Sequence, residues 1–261
     1  MVKRTLSALF FVPLILAAVW FGYPWFLGLL LLVGLLGAVE FYRLVERSGP
    51  RPFKLLGTVF VLSLIAGAHF FTPQLAFLLI SLTVVVTLLC SLFRSGDAWA
   101  SWAWTIAGVF YLGWTLQHFI LLRDLEDGVA WVIFTLLVTF AVDTSAFFVG
   151  RSFGQHRLAP RLSPGKTWEG AAGGAVGGVA AALILKVLLQ PYGLSLSLLL
   201  LLGLLIGIFA QLGDLAESAL KRRARVKESA QLISGHGGML DRLDSIVFTV
   251  VLVYYYVVWL S

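Results

Sequence analysis

Three aspartates near the end of the chain have a spacing that suits a hard metal ion. Asp241 and Asp244 are three residues apart, so a helix would place both carboxylates on one side. Asp214 follows a long apolar run, at the point where that run would leave a membrane. Magnesium prefers oxygen ligands and is usually held by one or two carboxylates together with substrate phosphates. The three residues are therefore predicted to hold a divalent cation, with salt bridges to Arg222 and Arg242 as the alternative.

Cationic residues close to these aspartates could bind a polyphosphate. If the helix that contains Asp214 continues, Ser218, Lys221 and Arg225 lie on the same face. That face carries a carboxylate at membrane depth and cations further out, which suits a metal ion below a polyphosphate. The alternative is a cluster of positive charges that only fixes membrane orientation. Further candidates are Arg222 and Lys227 as catalytic cations, and His236 and Gly237 as substrate contacts in a glycine-rich stretch.

The octapeptide SPGKTWEG, residues 163–170, is a candidate anion site. Ser163 and Thr167 could cap the helix that follows, and Lys166 adds a positive charge beside free backbone N–H groups. The spacing is not that of a Walker A loop, because Gly165 has no glycine five residues before it. The bland alternative for Lys166 is a membrane-flanking charge.

Asp143 lies inside an apolar run, about 10 Å from its predicted cytoplasmic end. The free-energy cost of a lone carboxylate at that depth is roughly a few kcal/mol or more. It is expected to line a cavity and to hold a cation or a hydrogen-bond partner. The alternative is a structural polar contact with a neighbouring helix.

The elements that position these residues are membrane helices. Of 261 residues, 60% are hydrophobic and only 12% charged, whereas a soluble domain has about 25% charged residues. The predicted fold is all-α, a polytopic bundle of about nine transmembrane helices. The candidate spans are Leu6–Gly22, Trp25–Leu44, Leu55–Phe71, Leu75–Phe93, Trp99–Leu122, Val129–Gly150, Trp168–Leu189, Leu194–Gly213 and Ser245–Leu260.

Glycines in the seventh span follow one another at intervals of three and four residues. This spacing gives a helix face with almost no side chains, which is typical of close helix packing. The residues are Gly170, Gly173, Gly174, Gly177 and Gly178.

The distribution of basic residues fixes the predicted orientation. With a cytoplasmic N-terminus, Arg123 and Lys186 are the two of the 19 Lys and Arg residues that lie toward the outside. The net charge of +6 is therefore assigned to the membrane surface and to a phosphate-bearing substrate, and not to nucleic acid. Residues 1–98 are predicted to be scaffold helices, and residues 99–261 a catalytic region within the same membrane domain.

Several ordered motifs resemble the signature of phosphatidate cytidylyltransferases, also called CDP-diacylglycerol synthases. The central motifs are Ser218-x-x-Lys221-Arg222, Lys227-Glu228 and His236-Gly237-Gly238-x-x-Asp241-Arg242-x-Asp244. The supporting motifs are Gly213-Asp214-Leu215-x-Glu217-Ser218, Asp143-Thr144-x-Ala146-Phe147 with Gly150-Arg151, and Ser163-Pro164-x-Lys166-Thr167-Trp168-Glu169-Gly170. Two positions depart from the family pattern, Glu228 where Asp is usual and Ser234 where Pro is usual.

The resemblance implies transfer of a cytidylyl group from CTP to phosphatidic acid, giving CDP-diacylglycerol and pyrophosphate. It also implies magnesium, with room for a second cation such as K⁺, a bacterial inner membrane and a homodimer. The site would face the cytoplasm, where CTP can meet a lipid phosphate at the headgroup level. Phosphoryl chemistry of this kind needs positioning and charge neutralisation more than a protein nucleophile.

Rival functions make different products. An ion-coupled transporter would suit the buried Asp143 and the glycine-rich span, but the charges gather at one membrane face and form no transmembrane chain. A polyprenol kinase would release CDP and not pyrophosphate, and a CDP-archaeol synthase would use another lipid. A purely structural membrane protein leaves the deep aspartates unexplained.

Overall fold

The computed structural model describes residues 13–93, 96–189, 195–230 and 237–260. Residues 13–21 are helical. The helices that follow are α1 (Trp25–Arg47), α2 (Lys54–Phe70), α3 (Pro73–Leu92), α4 (Ala98–Gly108), a π-helical segment (Val109–Trp114), α5 (Thr115–Arg123), α6 (Gly128–Phe153), α7 (Trp168–Leu189), α8 (Leu196–Arg223), α9 (Leu240–Leu243) and α10 (Ile246–Leu260). Two short strands, β1 (Arg157–Ala159) and β2 (Ser163–Thr167), join α6 to α7.

Most of these helices are long and apolar enough to cross a membrane. Among the described residues seven helical stretches meet that standard: Trp25–Arg47, Pro73–Leu92, Ala98–Arg123, Gly128–Phe153, Trp168–Leu188, Leu196–Arg223 and Leu240–Leu260. The predicted polytopic helical fold is confirmed, and the chain is an integral membrane protein. The count of nine is not confirmed, because α2 has only 17 residues and residues 6–12 of the predicted first span lie outside the described residues.

Two of the helix starts follow from capping residues. The Oγ1 of Thr72 accepts a hydrogen bond from the backbone N–H of Leu75 at 3.5 Å, and Pro73 occupies the first turn of α3. The Oδ1 of Asp97 accepts one from the N–H of Ala100 at 2.9 Å at the start of α4. Both side chains satisfy N–H groups that have no partner within the helix.

The chain divides into two compact units. The first unit consists of Met1–Leu121 and Leu220–Asp241, and the second of Leu122–Ala219 and Arg242–Ser261. The separate sequence-based division into scaffold and catalytic regions at residue 98 stays a prediction.

The first unit has a buried tyrosine at its centre. Tyr42 of α1 is fully buried, and its hydroxyl donates a hydrogen bond to the carbonyl of Thr105 at 2.9 Å. Its ring lies where a Cβ of Gly57 or Gly108 would have to be, so both glycines are needed for α2 and α4 to approach α1. The Oγ1 of Thr105 in turn accepts from the N–H of Phe53, just before α2.

The glycines of α7 allow close helix packing in the second unit, as predicted. A Cβ at Gly173 would overlap the side chain of Val149 on α6, and one at Gly177 would overlap Ser145. A Cβ at Gly178 would meet the carbonyl oxygen of Gly203 on α8. The backbones of α6, α7 and α8 therefore approach more closely than larger side chains would permit.

The strands β1 and β2 form an antiparallel hairpin that the sequence analysis did not foresee. Arg157 pairs with Thr167 and Ala159 pairs with Ser163. The carboxylate of Glu169, in the first turn of α7, accepts hydrogen bonds from the N–H groups of Gln155 and His156, so it ties the start of α7 to the chain that enters the hairpin.

Candidate metal and phosphate site

Three carboxylates in the second unit lie close enough together to hold one metal ion. Asp214, Glu217 and Asp244 each offer an oxygen, and these oxygens lie within 4.8 Å of one another. Glu217 is fully buried, while Asp214 and Asp244 are half-buried. Carboxylates at this separation repel one another unless a cation or a proton lies between them. The structure thus brings together two of the three predicted ligands and adds Glu217.

Gly213 explains how Asp214 and Asp244 come together. A Cβ at Gly213 would overlap the carbonyl oxygen of Asp244 and would press on the ring of Phe248. The backbone of α8 can therefore lie against the residues between α9 and α10 only because position 213 has no side chain. This close approach places the carboxylate of the next residue beside that of Asp244.

Replacing Gly213 with alanine is expected to destabilise the protein by about 1–3 kcal/mol, because the added methyl group meets backbone that cannot move away. Gly28→Ala is the matched control, since a Cβ there has nothing within 4 Å. Thermal unfolding in detergent compares the two variants. Equal midpoints would show that the approach at Gly213 is not needed.

Lys166 lies beside the acidic cluster. Its Nζ is 2.6 Å from the Oδ2 of Asp214 and donates to the carbonyl of Gln211 at 3.4 Å. The hydroxyl of Ser218 donates to the Oδ1 of Asp214 at 3.3 Å, one helical turn further along. Two of the residues predicted to contact substrate are therefore in contact with Asp214.

Lys166 owes its position to the hairpin and to the start of α7. The Oγ1 of Thr167 accepts a hydrogen bond from the N–H of Gly170 at 3.1 Å, so Thr167 caps α7 as predicted. The side-chain amide of Gln211 donates to the carbonyl of Ala171 at 3.0 Å, which fixes α8 to this first turn. Ser163 lies at the other end of β2, paired with Ala159.

Asp143 on α6 is linked to the acidic cluster through Ser245. The hydroxyl of Ser245 donates to the Oδ1 of Asp143 at 3.2 Å, and its N–H donates to the Oδ1 of Asp244 at 2.8 Å. Asp143 itself is exposed. The deep carboxylate therefore has a hydrogen-bond partner, and that partner adjoins a residue of the cluster.

Asp241 belongs to the first unit and is surrounded by protein donors. Its Oδ1 accepts from the Nζ of Lys221 at 2.6 Å. Its Oδ2 accepts from the N–H and the hydroxyl of Ser229 and from the N–H of Gly238, each at 2.9 Å. Gly237 has a φ of +70°, and a Cβ there would lie 2.9 Å from the Oδ2 of Asp241. Gly237 therefore provides a backbone conformation that favours glycine and leaves room for the carboxylate of Asp241.

The remaining predicted cations fall in less confined places. The side chains of Arg222 and Lys227 are exposed. The expectation that Arg225 continues the face of Asp214 is wrong, because α8 ends at Arg223 and Arg225 has a φ of +56°. His236 and Ser234 lie outside the described residues.

Sequence reasoning assigned no role to two carboxylates that the structure makes prominent. Glu217 stands in a quoted motif, and its position three residues after Asp214 could have indicated a shared helix face. Glu40 is a charged residue inside an apolar span, which is itself a sign of function. Glu40 is buried and accepts hydrogen bonds from the N–H groups of Met239 and Leu240.

Comparison with known proteins gives consistent matches. Residues 2–260 match the profile described as the Cytidylyltransferase family. The chain is 35% identical over 226 residues to a phosphatidate cytidylyltransferase of Brucella abortus (strain 2308), covering 84% of this chain and 80% of that protein. It is 40% identical over 155 residues to a phosphatidate cytidylyltransferase of Bacillus subtilis (strain 168), covering 58% of this chain and 56% of the relative. A third relative of that name, from Staphylococcus haemolyticus (strain JCSC1435), is 37% identical over 174 residues, 67% of this chain and 63% of its own.

Proposed function

Because the chain belongs to the cytidylyltransferase family, we propose that it transfers the cytidylyl group of CTP to phosphatidic acid. The products are CDP-diacylglycerol, for phospholipid synthesis, and pyrophosphate. The observation that carries the proposal is the cluster of Asp214, Glu217 and Asp244 with the ammonium of Lys166 against it. Carboxylates that could hold a metal ion, next to an ammonium group, suit a reaction in which a nucleotide and a lipid phosphate must come together.

The proposed reaction is a displacement at phosphorus. A phosphate oxygen of phosphatidic acid attacks the α-phosphorus of CTP, and the bond from that phosphorus to the bridging oxygen of the β-phosphate breaks. Pyrophosphate leaves with the electron pair of that bond. No protein nucleophile is required, so the work of the protein is to position the two phosphates and to neutralise their charge.

The donor set of the acidic cluster fits magnesium, because all its ligands are carboxylate oxygens that lie within 4.8 Å of one another. Asp214, Glu217 and Asp244 would hold the ion, which when bound offsets negative charge on the phosphates. The sequence also predicts Asp241 as a ligand, and that assignment stays a prediction. A second cation such as K⁺ is part of the same family expectation.

The cationic side chains are assigned to the phosphates. Lys166 is the best placed in the second unit, because it already contacts Asp214 and can turn to a phosphate when a metal ion takes up the carboxylate. The other proposed contacts are Lys221, Arg222 and Lys227 as cations, Ser163, Thr167, Ser218 and His236 as hydrogen-bond partners, Gly237 through its backbone, and Asp143 as a lining residue.

The cellular setting is part of the proposal. The bias of Lys and Arg residues favours a site that faces the cytoplasm, where CTP is found. The bacterial relatives favour the inner membrane. The family resemblance adds a homodimer.

Product analysis with purified protein tests the proposed reaction. Labelled CTP, phosphatidic acid in detergent micelles and Mg²⁺ are expected to give CDP-diacylglycerol and pyrophosphate in equal amounts. Formation of CDP with a phosphorylated lipid would instead identify a kinase. Substrate flux into proteoliposomes without CTP would identify a transporter.

Removal of divalent cations is expected to abolish product formation. EDTA should stop the reaction, and Mg²⁺ added in excess should restore it, because the acidic cluster cannot offset the charge of the phosphates without a cation. K⁺ alone is the control and should not restore the activity. Unchanged rates in EDTA would contradict a metal-dependent reaction.

A further inference from the structure

Glu40 is a buried carboxylate in an apolar helix with no part in the proposed chemistry. It lies on α1, seven residues before the helix ends at Arg47, and 2% of its surface is exposed. At 1.5 Å per residue this is about 10 Å from the end of the helix. A carboxylate in such a place is unfavourable unless several donors surround it. Its partners therefore indicate what it is for.

Within the part of the chain that the structure describes, the donors to Glu40 come from two short segments, one on each side of residues 231–236. The Oε1 accepts from the N–H of Met239 at 2.8 Å, and the Oε2 accepts from the N–H of Leu240 at 3.0 Å. From the other segment, the hydroxyl of Ser229 donates to the Oε2 at 2.9 Å. A single carboxylate on α1 thus holds both segments, and Leu240 is the first residue of α9.

The same two segments hold Asp241. The Oδ2 of Asp241 accepts from the N–H of Ser229, the hydroxyl of Ser229 and the N–H of Gly238. The hydroxyl of Ser229 therefore lies 2.9 Å from an oxygen of Glu40 and 2.9 Å from an oxygen of Asp241. The hydroxyl has one proton, so it can donate to one of the two carboxylates at a time or share the proton between them, and Ser229 lies in contact with both.

The close packing around Gly238 leaves no room for a side chain at this position. A Cβ at Gly238 would overlap both the Oγ of Ser229 and the Oε2 of Glu40. The backbone of residue 238 therefore has to lie against the two side chains. The donors from Ser229 and Gly238 all meet the Oδ2 of Asp241. Its other oxygen, Oδ1, is directed toward Lys221, and Oδ1 and Nζ are 2.6 Å apart.

We propose that Glu40 is a positioning residue for the proposed transfer reaction: it holds Ser229 and the start of α9 so that Asp241 keeps the orientation in which it meets Lys221. The inference rests on the proposed function, because Asp241 and Lys221 are assigned there to the reaction. Glu40 itself acts through Asp241 and contacts no phosphate.

The test is a double-mutant cycle of four proteins: the wild type, Glu40→Gln, Ser229→Ala and the double variant. The rate of CDP-diacylglycerol formation is measured for each. In Glu40→Gln, the amide N–H₂ faces at least one backbone N–H that meets a carboxylate oxygen in the wild type. The rate is therefore expected to fall roughly 10- to 100-fold, as when other residues that orient the groups of a site are replaced. Ser229→Ala is expected to lower the rate less than Glu40→Gln does. Because both act through Asp241, the double variant should be no slower than Glu40→Gln alone.

Two companion variants separate positioning from simple folding. Glu46→Gln, six residues further along α1, removes an exposed ion pair with Lys54 and should leave the rate unchanged. Glu40→Asp keeps the charge on a shorter side chain and should recover part of the rate. Thermal unfolding of each variant shows whether the protein is folded.

Losses that multiply in the double variant, or a rate for Glu40→Gln within about twofold of the wild type, would overturn the proposal. If Glu40→Gln does not fold, Glu40→Asp and Ser229→Ala carry the test, and wild-type rates in both overturn it. A wild-type protein that makes no CDP-diacylglycerol would contradict the proposed function instead.

Discussion

Asp214→Asn is expected to reduce cytidylyl transfer by roughly 100- to 1,000-fold, the usual effect of removing one preorganised charged group from a site of this kind. The substitution keeps the shape of the side chain but removes the charge that pairs with Lys166 and that would bind the cation with Glu217 and Asp244. The rate is measured as pyrophosphate released from CTP, per amount of protein inserted in the membrane. Insertion itself should be normal, because the apolar length of α8 is unchanged.

Asp97→Asn provides the control for Asp214→Asn. Asp97 accepts a hydrogen bond from the N–H of Ala100 at the start of α4, and asparagine caps helices about as well as aspartate. The same chemical change is therefore expected to leave the rate near the wild-type value. Comparable rates in Asp97→Asn and Asp214→Asn would remove Asp214 from the site.

Asp241→Asn is expected to have the second large effect, a loss of roughly 100-fold or more. The carboxylate has Lys221 at one oxygen and three donors at the other. The amide group of asparagine must direct an N–H₂ at one of these donors, so either Lys221 or the backbone of Ser229 and Gly238 loses its acceptor. Pyrophosphate release by the inserted protein measures the loss.

The matched control for Asp241→Asn is Asp127→Asn. Asp127 is exposed before α6 and has a φ of +55°, a conformation that asparagine adopts readily. That variant should insert, fold and react as the wild type does. An active Asp241→Asn variant would show that neither the metal role nor the pairing with Lys221 is needed.

The membrane helices and their glycine packing could be predicted because both depend on local composition. A run of apolar residues indicates a span wherever it occurs, and the spacing of Gly173 and Gly177 indicates a bare helix face. The hairpin of residues 157–167 could not be predicted in the same way. Its strands have only three and five residues, and β2 contains Pro164 and Gly165, which are uncommon in strands.

The candidate site was predicted in its residue types and only in part in its grouping. Asp214 and Asp244 could be grouped from the sequence because Asp214 directly follows one apolar run and Asp244 directly precedes another. The expectation that Asp241 and Asp244 share a helix depended on a helix through both residues, but α9 is a single turn that ends at Leu243. Glu40 is 189 residues from Ser229, and such a contact depends on tertiary packing that no local pattern reports.

Binding of Mn²⁺, as a probe for Mg²⁺, tests the central claim most directly. Electron paramagnetic resonance would count the ions bound by the wild type, by Asp214→Asn with Asp244→Asn, and by the control Asp97→Asn. The wild type and the control should bind Mn²⁺ that Mg²⁺ displaces, and the double variant should lose that binding. Equal binding of Mn²⁺ by all three proteins would contradict a cation site at Asp214, Glu217 and Asp244.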